Sequence, residues 1–280
     1  MKTFFPENKV KLSKFLLDAY AGKLSYAQFN KLLRKKDIKI DGKRTSADVT
    51  LSGGEKVDVF YDGNADVKFY EILSEDDNII IVDKFKGVTS ERLYELLQNK
   101  YEKVYFCHRL DRNTDGLIVF AKNEKSYEEI VKGFKERTFD KIYIAEVYGH
   151  FDVKQAVLTA YLVKDEVTST VKVSDCKLSG SKKIATEYKV VKESENTSVV
   201  MVRLLTGRTH QIRAHLAHVG HFVLGDGKYG AEKINRLFKA GDMRLTSAKI
   251  TFNFSADEYL YYLNGKSFVK KGLENLPFFK

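Results

Sequence analysis

Cysteine is scarce in this 280-residue chain: Cys107 and Cys176 are the whole complement and stand far apart. Two thiols are too few for a disulfide scaffold, and neither belongs to a paired zinc spacing, so a reducing compartment, the cytoplasm, is the expected setting. Long apolar runs are missing too. No stretch approaches the roughly 18 or more apolar residues of a membrane span. The start, Met1 to Leu17, is broken by Pro6, Glu7, Asn8 and several lysines, and so lacks the continuous apolar core of a signal peptide. Internal repeats, low-complexity tracts and the glycine-rich loops that cradle nucleotide phosphates are also absent. These absences leave a soluble chain with no membrane partner.

What is present supports a packed core, since 43% of residues are hydrophobic and 12% aromatic. The net charge is +10 and the isoelectric point near 9.2, which favours a polyanionic partner because a basic surface attracts phosphates at long range. Charge is concentrated at the front. Met1 to Asp62 carries 13 Lys and Arg against 8 Asp and Glu, half of the net charge in under a quarter of the chain.

That front part reads as a unit of its own, residues 1–62. Leu12, Phe15, Leu16 and Ala19 recur at helical spacing with Gly22 as the stop, and a second helix is predicted over 26–35 with Ser25 as N-cap. A strand at 38–40, a tight turn at Asp41-Gly42, a turn at Gly53-Gly54 and a strand at 56–61 follow. Arg34-Lys35-Lys36 closes the second helix. It suits either a solvated helix end that complements the dipole or a patch that contacts phosphate. Residues 63–75 are expected as a linker and 76–280 as a second domain. In the latter, a buried strand at 78–83 and a helix marked by Leu93, Leu96 and Leu97, capped by Thr89 or Ser90, lead into a strand-rich region. Strands are predicted at 104–106, 116–121, 140–149, 156–163, 185–193, 198–205 and 247–254, with helices at 124–136, 210–219 and 231–238. The mixture predicts an α+β fold: a small N-terminal domain, then a domain on a mixed, largely antiparallel β-sheet flanked by helices.

Two segments carry chemistry. In Cys107-His108-Arg109-Leu110-Asp111-Arg112-Asn113-Thr114-Asp115-Gly116, a doubly charged loop sits between two strands. An Asp flanked by arginines at a strand end is expected to be held as a carboxylate, which suits a nucleophile or an ion-pair partner; a loop Asp serving a turn has the same local signature. The second segment is Leu205-Thr206-Gly207-Arg208-Thr209-His210-Gln211-Ile212-Arg213-Ala214-His215, continued by Gly220, Gly225-Asp226 and Tyr229-Gly230. Here Thr209 is the candidate cap of a helix whose core face is Ile212, Leu216 and Val219, with Arg213 on another face. His210, His215, His218 and His221 lack interleaved carboxylates or thiolates, so contact with phosphate suits them better than a metal.

The segment His108-Arg109-Leu110-Asp111-x-x-Thr114-x-Gly116-Leu117 resembles the catalytic signature of the RluA-type pseudouridine synthases, and the segment from Gly207 to His215, with Gly220, Gly225-Asp226 and Tyr229-Gly230, resembles their second signature. Lys141-x-Tyr143-x-Ala145-x-Val147-x-Gly149 is similar to their intermediate motif, and Val10 to Tyr61 to the small RNA-binding domain of ribosomal protein S-four. Asp115 stands where the family often has Ser, and Phe85 where a Pro is typical. The resemblance implies an isomerase that converts uridine to pseudouridine in structured RNA, without cofactor or metal. It implies that Asp111 is essential, whether it attacks the base, attacks the sugar or takes a sugar proton. It further implies that Arg213 pairs with Asp111 and that Tyr143 stacks on a flipped base. Arg109, Arg112, Arg208 and His210 are the candidates for contacts around the flipped nucleotide, and Arg34, Lys35 and Lys36 for contacts from the first domain.

Large-subunit ribosomal RNA is favoured over transfer RNA as substrate, and a monomer is the default. Two other readings account for parts of the sequence: a glycosidase or nucleoside hydrolase with Asp115 as a second carboxylate, and a non-catalytic RNA-binding or ribosome-assembly protein. The stretch from Lys266 to Lys280, basic and aromatic with Phe268, Phe278 and Phe279, receives no role from sequence.

Overall fold

The structure, a computed structural model, describes residues 1–20, 24–61, 68–165, 170–277 and 279. The chain divides into two units, Met1–Phe69 and Tyr70–Lys280.

The first unit runs β1 (Lys2–Phe4), β2 (Val10–Lys11), α1 (Leu12–Ala19), α2 (Tyr26–Lys35), β3 (Ile38–Ile40), β4 (Lys43–Arg44), β5 (Thr50–Leu51) and β6 (Val57–Val59). Helix α2 starts on a full capping box: the Ser25 side chain accepts from Gln28 N–H, and the Gln28 side chain accepts from Ser25 N–H. It ends at Lys36, left-handed at φ 57, with the exposed Arg34 and Lys35 in its last turn. Asp41 and Gly42 both have positive φ, the requirement of a two-residue hairpin turn, and join β3 to β4. Leu12, Leu16, Phe29, Leu32, Leu33, Ile38, Val57 and Val59 form one buried cluster. Gly22, expected to stop α1, lies outside the described residues.

The second unit begins with β7 (Tyr70–Glu75), which occupies residues expected as linker, and continues with β8 (Ile79–Lys84), α3 (Ser90–Gln98), β9 (Tyr105–Phe106), β10 (Asp115–Ala121) and α4 (Glu124–Glu136). Then follow β11 (Asp140–Tyr148), β12 (Gln155–Asp165), β13 (Thr170–Ser174), β14 (Lys182–Ser194), β15 (Thr197–Leu204), α5 (Gln211–His218), α6 (Glu232–Leu237), β16 (Leu245–Thr251) and β17 (Ser267–Val269). Among the described residues the strands form one 11-stranded sheet of order β13-β12-β14-β15-β11-β16-β10-β8-β7, with β17 on β16 and β9 on β10. Every pairing is antiparallel except β10 with β16. The fold is therefore α+β on a mixed, largely antiparallel sheet flanked by a few helices.

Strands β8 and β10 read as unbroken apolar runs because both of their faces are covered. Ile80, Val82, Ile118 and Phe120 pack with Leu93 and Leu97 of α3 and Ile212 and Leu216 of α5. Ile79, Ile81, Leu117 and Val119 pack on the other side with Ile130 of α4 and the aromatic group Phe139, Phe252 and Phe254. Truncating one of these fully buried aliphatic chains to Ala costs roughly 2–5 kcal/mol.

The join between β10 and β16 shapes the site. They pair in parallel only at Asp115 and Gly116, and β9 takes the same edge of β10 only at Phe120 and Ala121. Between these contacts side chains serve the backbone: Val119 N–H donates to Nε2 of His108 at 3.0 Å, and Ser247 Oγ donates to Leu117 O at 3.1 Å. At the closest approach a Cβ on Gly116, whose φ is +105, would lie 2.1 Å from Ser247 O, so no other residue fits.

Candidate active site

Asp111 sits in the loop between β9 and β10, on a turn closed by Thr114 N–H to Asp111 O at 3.1 Å. The loop is fixed from beneath. Ser90, fully buried, donates its Oγ to Leu110 O and accepts Leu110 N–H, both at 2.9 Å. Lys84, also fully buried, donates Nζ to the carbonyls of Phe85, Val88 and Arg112 at 2.9 to 3.2 Å. Burial pushes the Lys84 ammonium down to about 8, although the charges of Asp115 and Asp111 oppose the shift.

The close ion pair of Asp111 comes from far away in sequence. Arg213, on α5, donates Nη1 to Asp111 Oδ2 at 2.7 Å. The rest of its guanidinium is a two-pronged fork on Asp226, Nε to Oδ2 at 2.7 Å and Nη2 to Oδ1 at 2.8 Å. Arg213 and Asp226 are both buried, and Asp226 also accepts the backbone N–H of Lys228 and Tyr229. Burial works against the Arg213 cation, but the bonds and charges of Asp226 and Asp111 outweigh it and raise its pKa above the ordinary arginine value. For Asp226, burial is likewise overcome, by Arg213 first, and the carboxyl is held below its usual range. The ring of Tyr229 lies 5.1 Å from the guanidinium carbon.

The arginines beside Asp111 have other partners, which corrects the expectation that they hold the carboxylate. Arg109 is exposed and pairs with Glu91 at 3.0 Å, and Arg112 donates Nε to Gly87 O at 3.1 Å. The cap of α5 is corrected too. It is His210, left-handed at φ 54, and Thr209 makes no cap. That conformation costs a non-glycine residue roughly 1–2 kcal/mol, and Gln211 supports it. The buried Gln211 amide accepts from Thr206 Oγ1 and Arg208 N–H and donates to Ala185 O and Thr186 Oγ1. Helix α5 is buried on more faces than expected, Arg213 included, whereas Val219 is 37% exposed.

His210 places Nε2 3.9 Å from Asp111 Oδ2 and Nδ1 2.9 Å from the Tyr229 hydroxyl. That hydroxyl accepts Val171 N–H and has its own proton to give to Nδ1, a pairing that puts the histidine hydrogen on Nε2, facing Asp111. Burial lowers the His210 pKa against the pull of Asp111 and favours this neutral ring. The other histidines of the segment disperse: His215 to Thr186 Oγ1, His218 to Asp175, His221 to Tyr148 O. Among the described residues no three or more His, Cys, Asp or Glu are grouped to hold a metal.

Asp111, His210, Gln211 and Arg213 line a cavity of about 590 Å³, within the roughly 300–1,000 Å³ range of ligand sites. Tyr143 of β11 forms part of its wall and is only 6% exposed. Burial first, then the nearby charge of Asp111, raises the Tyr143 pKa above the ordinary phenol value despite a hydrogen bond with Ser247, so the hydroxyl stays protonated. Arg109, Arg208 and His210 also line the cavity; Arg112, in the same loop as Asp111, is bonded to Gly87 O. Arg34, Lys35 and Lys36 belong to the first unit. Among the described residues the lining includes six Lys or Arg and one carboxylate, Asp111; Lys135 and Arg137 have no signal in the sequence, whereas Lys141 stands in the intermediate motif.

Asp115, offered from sequence as a second carboxylate, is engaged elsewhere. It accepts Thr246 Oγ1 at 2.8 Å and lies 3.6 Å from Lys270 Nζ, which also pairs with Asp83. Among the described residues, two-carboxylate glycosidase chemistry therefore has no second acid in this cavity. The same contacts give the C-terminal stretch a structural place: β17 adds to β16, and Lys270 ties it to the start of β10. Phe278 lies outside the described residues.

The family model described as RNA pseudouridylate synthase matches residues 72–218, the span that holds Asp111, Tyr143 and Arg213. Ribosomal large subunit pseudouridine synthase C of Vibrio cholerae is 28% identical, across 81% of this chain and 80% of that protein. Dual-specificity RNA pseudouridine synthase RluA of Vibrio parahaemolyticus is 34% identical, across 58% of this chain and 70% of that one. The solved structure of human RNA pseudouridylate synthase domain containing 1 superposes with a TM-score of 0.62 at 23% identity, covering 75% of this chain and 86% of that one, which shows a common fold. With the family match spanning more than half of its residues, the chain belongs to the RNA pseudouridylate synthase family, isomerases that act on uridine in RNA.

Proposed function

We propose that the chain isomerises selected uridines of large-subunit ribosomal RNA, with Asp111 as its catalytic carboxylate. The observation that carries this reading is the chain of contacts Asp226–Arg213–Asp111, which ends in a cavity where, among the described residues, Asp111 is the single carboxylate amid a surplus of cations. The reaction breaks the N1–C1′ bond and forms C5–C1′; C5 gives up its hydrogen and N1 gains one. It consumes no water and exchanges no electrons, so it suits one aimed carboxylate in a site that also holds an RNA strand.

Arg213 holds Asp111 oriented through its Nη1 contact, and Asp226 fixes the plane of Arg213. Tyr143, a neutral phenol, stacks on the extruded base and can pass a proton late in the reaction. Extruding the base costs a few kcal/mol, which stacking and phosphate contacts at Arg109, Arg112, Arg208 and His210 offset. The first unit acts as a ribosomal-protein-S-four-like RNA-binding domain, with the exposed Arg34, Lys35 and Lys36 on phosphates. Large-subunit ribosomal RNA is favoured by the name of the Vibrio cholerae relative, and dual specificity is in the name of the second relative. A monomer at work in the reducing cytoplasm fits the free cysteines Cys107 and Cys176. Among the described residues no helix is long and apolar enough to cross a membrane.

Pseudouridine mapping across total RNA tests the substrate. In a strain lacking the gene, particular ribosomal sites should vanish and return only with the wild-type gene. Sites that vanish solely from transfer RNA would overturn the ribosomal assignment and keep the chemistry.

A further inference from the structure

Lys141 stands out among the cavity cations. It lines the cavity from β11, two residues before Tyr143, and its Nζ lies 4.7 Å above the ring of Phe134 on α4. The same ring holds His108 at 4.3 Å. Among the described residues no carboxylate pairs with Lys141. The charges around it are otherwise settled or exposed: Asp111 is taken by Arg213, Arg213 by Asp226 and Arg109 by Glu91, while Lys135 and Arg137 stand in solvent. His108, half-buried and accepting Val119 N–H, is held neutral, with its pKa well below the usual value because of desolvation. Burial alone pushes the Lys141 ammonium down to about 8, so it is still a cation at neutral pH. An unpaired, desolvated cation costs stability unless something else compensates it. Among the described residues the ring of Phe134 does so only in part, and no carboxylate does.

We propose that Lys141 is a phosphate-binding residue whose counterion is a backbone phosphate adjoining the target uridine. The proposal rests on the reading of Asp111 as the centre of a uridine-isomerising site and adds a substrate contact to it. A uridine extruded into the cavity brings its own flanking phosphates to the mouth, where they are anionic before any chemistry begins. Uracil is neutral at that stage and leaves the resting cation uncompensated. Lys135 and Arg137, at the end of α4 and on the same cavity, extend a wall that favours a strand of phosphates.

The test uses short RNAs carrying one uridine that the wild-type enzyme modifies, with a neutral methylphosphonate on its 5′ side, its 3′ side or neither. Wild type should lose tenfold or more in kcat/KM on one of the two neutral linkages. Lys141→Met should lose as much on ordinary RNA and nothing further on that linkage, and Lys141→Arg should keep most of the activity. Removing a half-buried charge that lacks a counterion should leave the melting temperature of Lys141→Met equal to wild type or higher, which a structural lysine would not do. Losses that multiply between Lys141→Met and both neutral linkages would place the contact on the base and overturn the proposal. So would an unimpaired Lys141→Met, or one that melts early. If wild type modifies no RNA at all, the underlying reading fails at that first arm, before the linkages are compared.

Discussion

Arg213 and Asp111, 102 residues apart in sequence, meet at 2.7 Å because α5 carries the arginine up to the loop that precedes β10. The remaining prongs of Arg213 are committed to Asp226, so its third nitrogen points one way only. The orientation of Asp111 is thus set by a residue that does not touch it.

Asp226→Asn keeps the shape at position 226, removes the charge and sets an amide N–H against the guanidinium. The expected result is a fall in kcat on the order of 10²-fold through misplacement of Asp111. Loss of one partner of a buried pair also costs about 3–5 kcal/mol of stability. Arg213→Lys should do no better, since an ammonium cannot serve both carboxylates as a fork. Steady-state kinetics and denaturant melts check both. An Asp226→Asn enzyme with wild-type kcat would show that Arg213 needs no such support.

Ser90→Ala leaves the buried N–H and C=O of Leu110 without partners, next to Asp111. Unsatisfied buried groups cost about 1–3 kcal/mol each. We expect a lower denaturation midpoint together with reduced kcat and a nearly unchanged KM. Loss of stability with kcat intact would show that the loop keeps its shape without this clamp.

His215, buried and bonded to Thr186 Oγ1, has its pKa pushed down to about 4 by burial. The unfolded chain, with histidine near 6.5, therefore binds more protons than the folded one between pH 6.5 and 4. The stability is present above pH 6.5 and is lost as pH falls toward 4, by up to roughly 3 kcal/mol. His215→Gln should flatten that part of a melting-temperature profile. An unchanged slope would assign the acid sensitivity to other groups, His108 first.

Replacing Arg34, Lys35 and Lys36 together with glutamine should weaken RNA affinity and flatten its dependence on salt, while kcat at saturating RNA stays near wild type. An unchanged salt slope would remove these residues from the interface.

Much of this architecture is legible in sequence where a local rule and the tertiary environment agree. The helix expected at 124–136 is Glu124–Glu136, because Asn123 caps it and its apolar spacing matches the face it buries. The two-residue turn at Asp41-Gly42 is as expected, since few residues other than these tolerate positive φ. Legibility fails where partners are distant. Thr209 looks like a cap by residue type, yet Gln211, bonded across to β14, draws the loop so that His210 takes that position. β7 falls where a linker is expected because the stretch opens on a polar, glycine-containing run, and its half-exposed edge position adds no clear apolar alternation. Asp226, quoted within the second motif, showed no sign of its fork to Arg213, which only the packing of α5 creates.

The most direct test of the central claim compares purified wild type with Asp111→Asn on a ribosomal RNA transcript, scoring pseudouridine formation, RNA affinity and melting temperature together. The account predicts that Asp111→Asn makes no pseudouridine while it binds RNA and folds like wild type, because a partly exposed loop carboxylate contributes little to the core. Turnover at the wild-type rate by Asp111→Asn would contradict it.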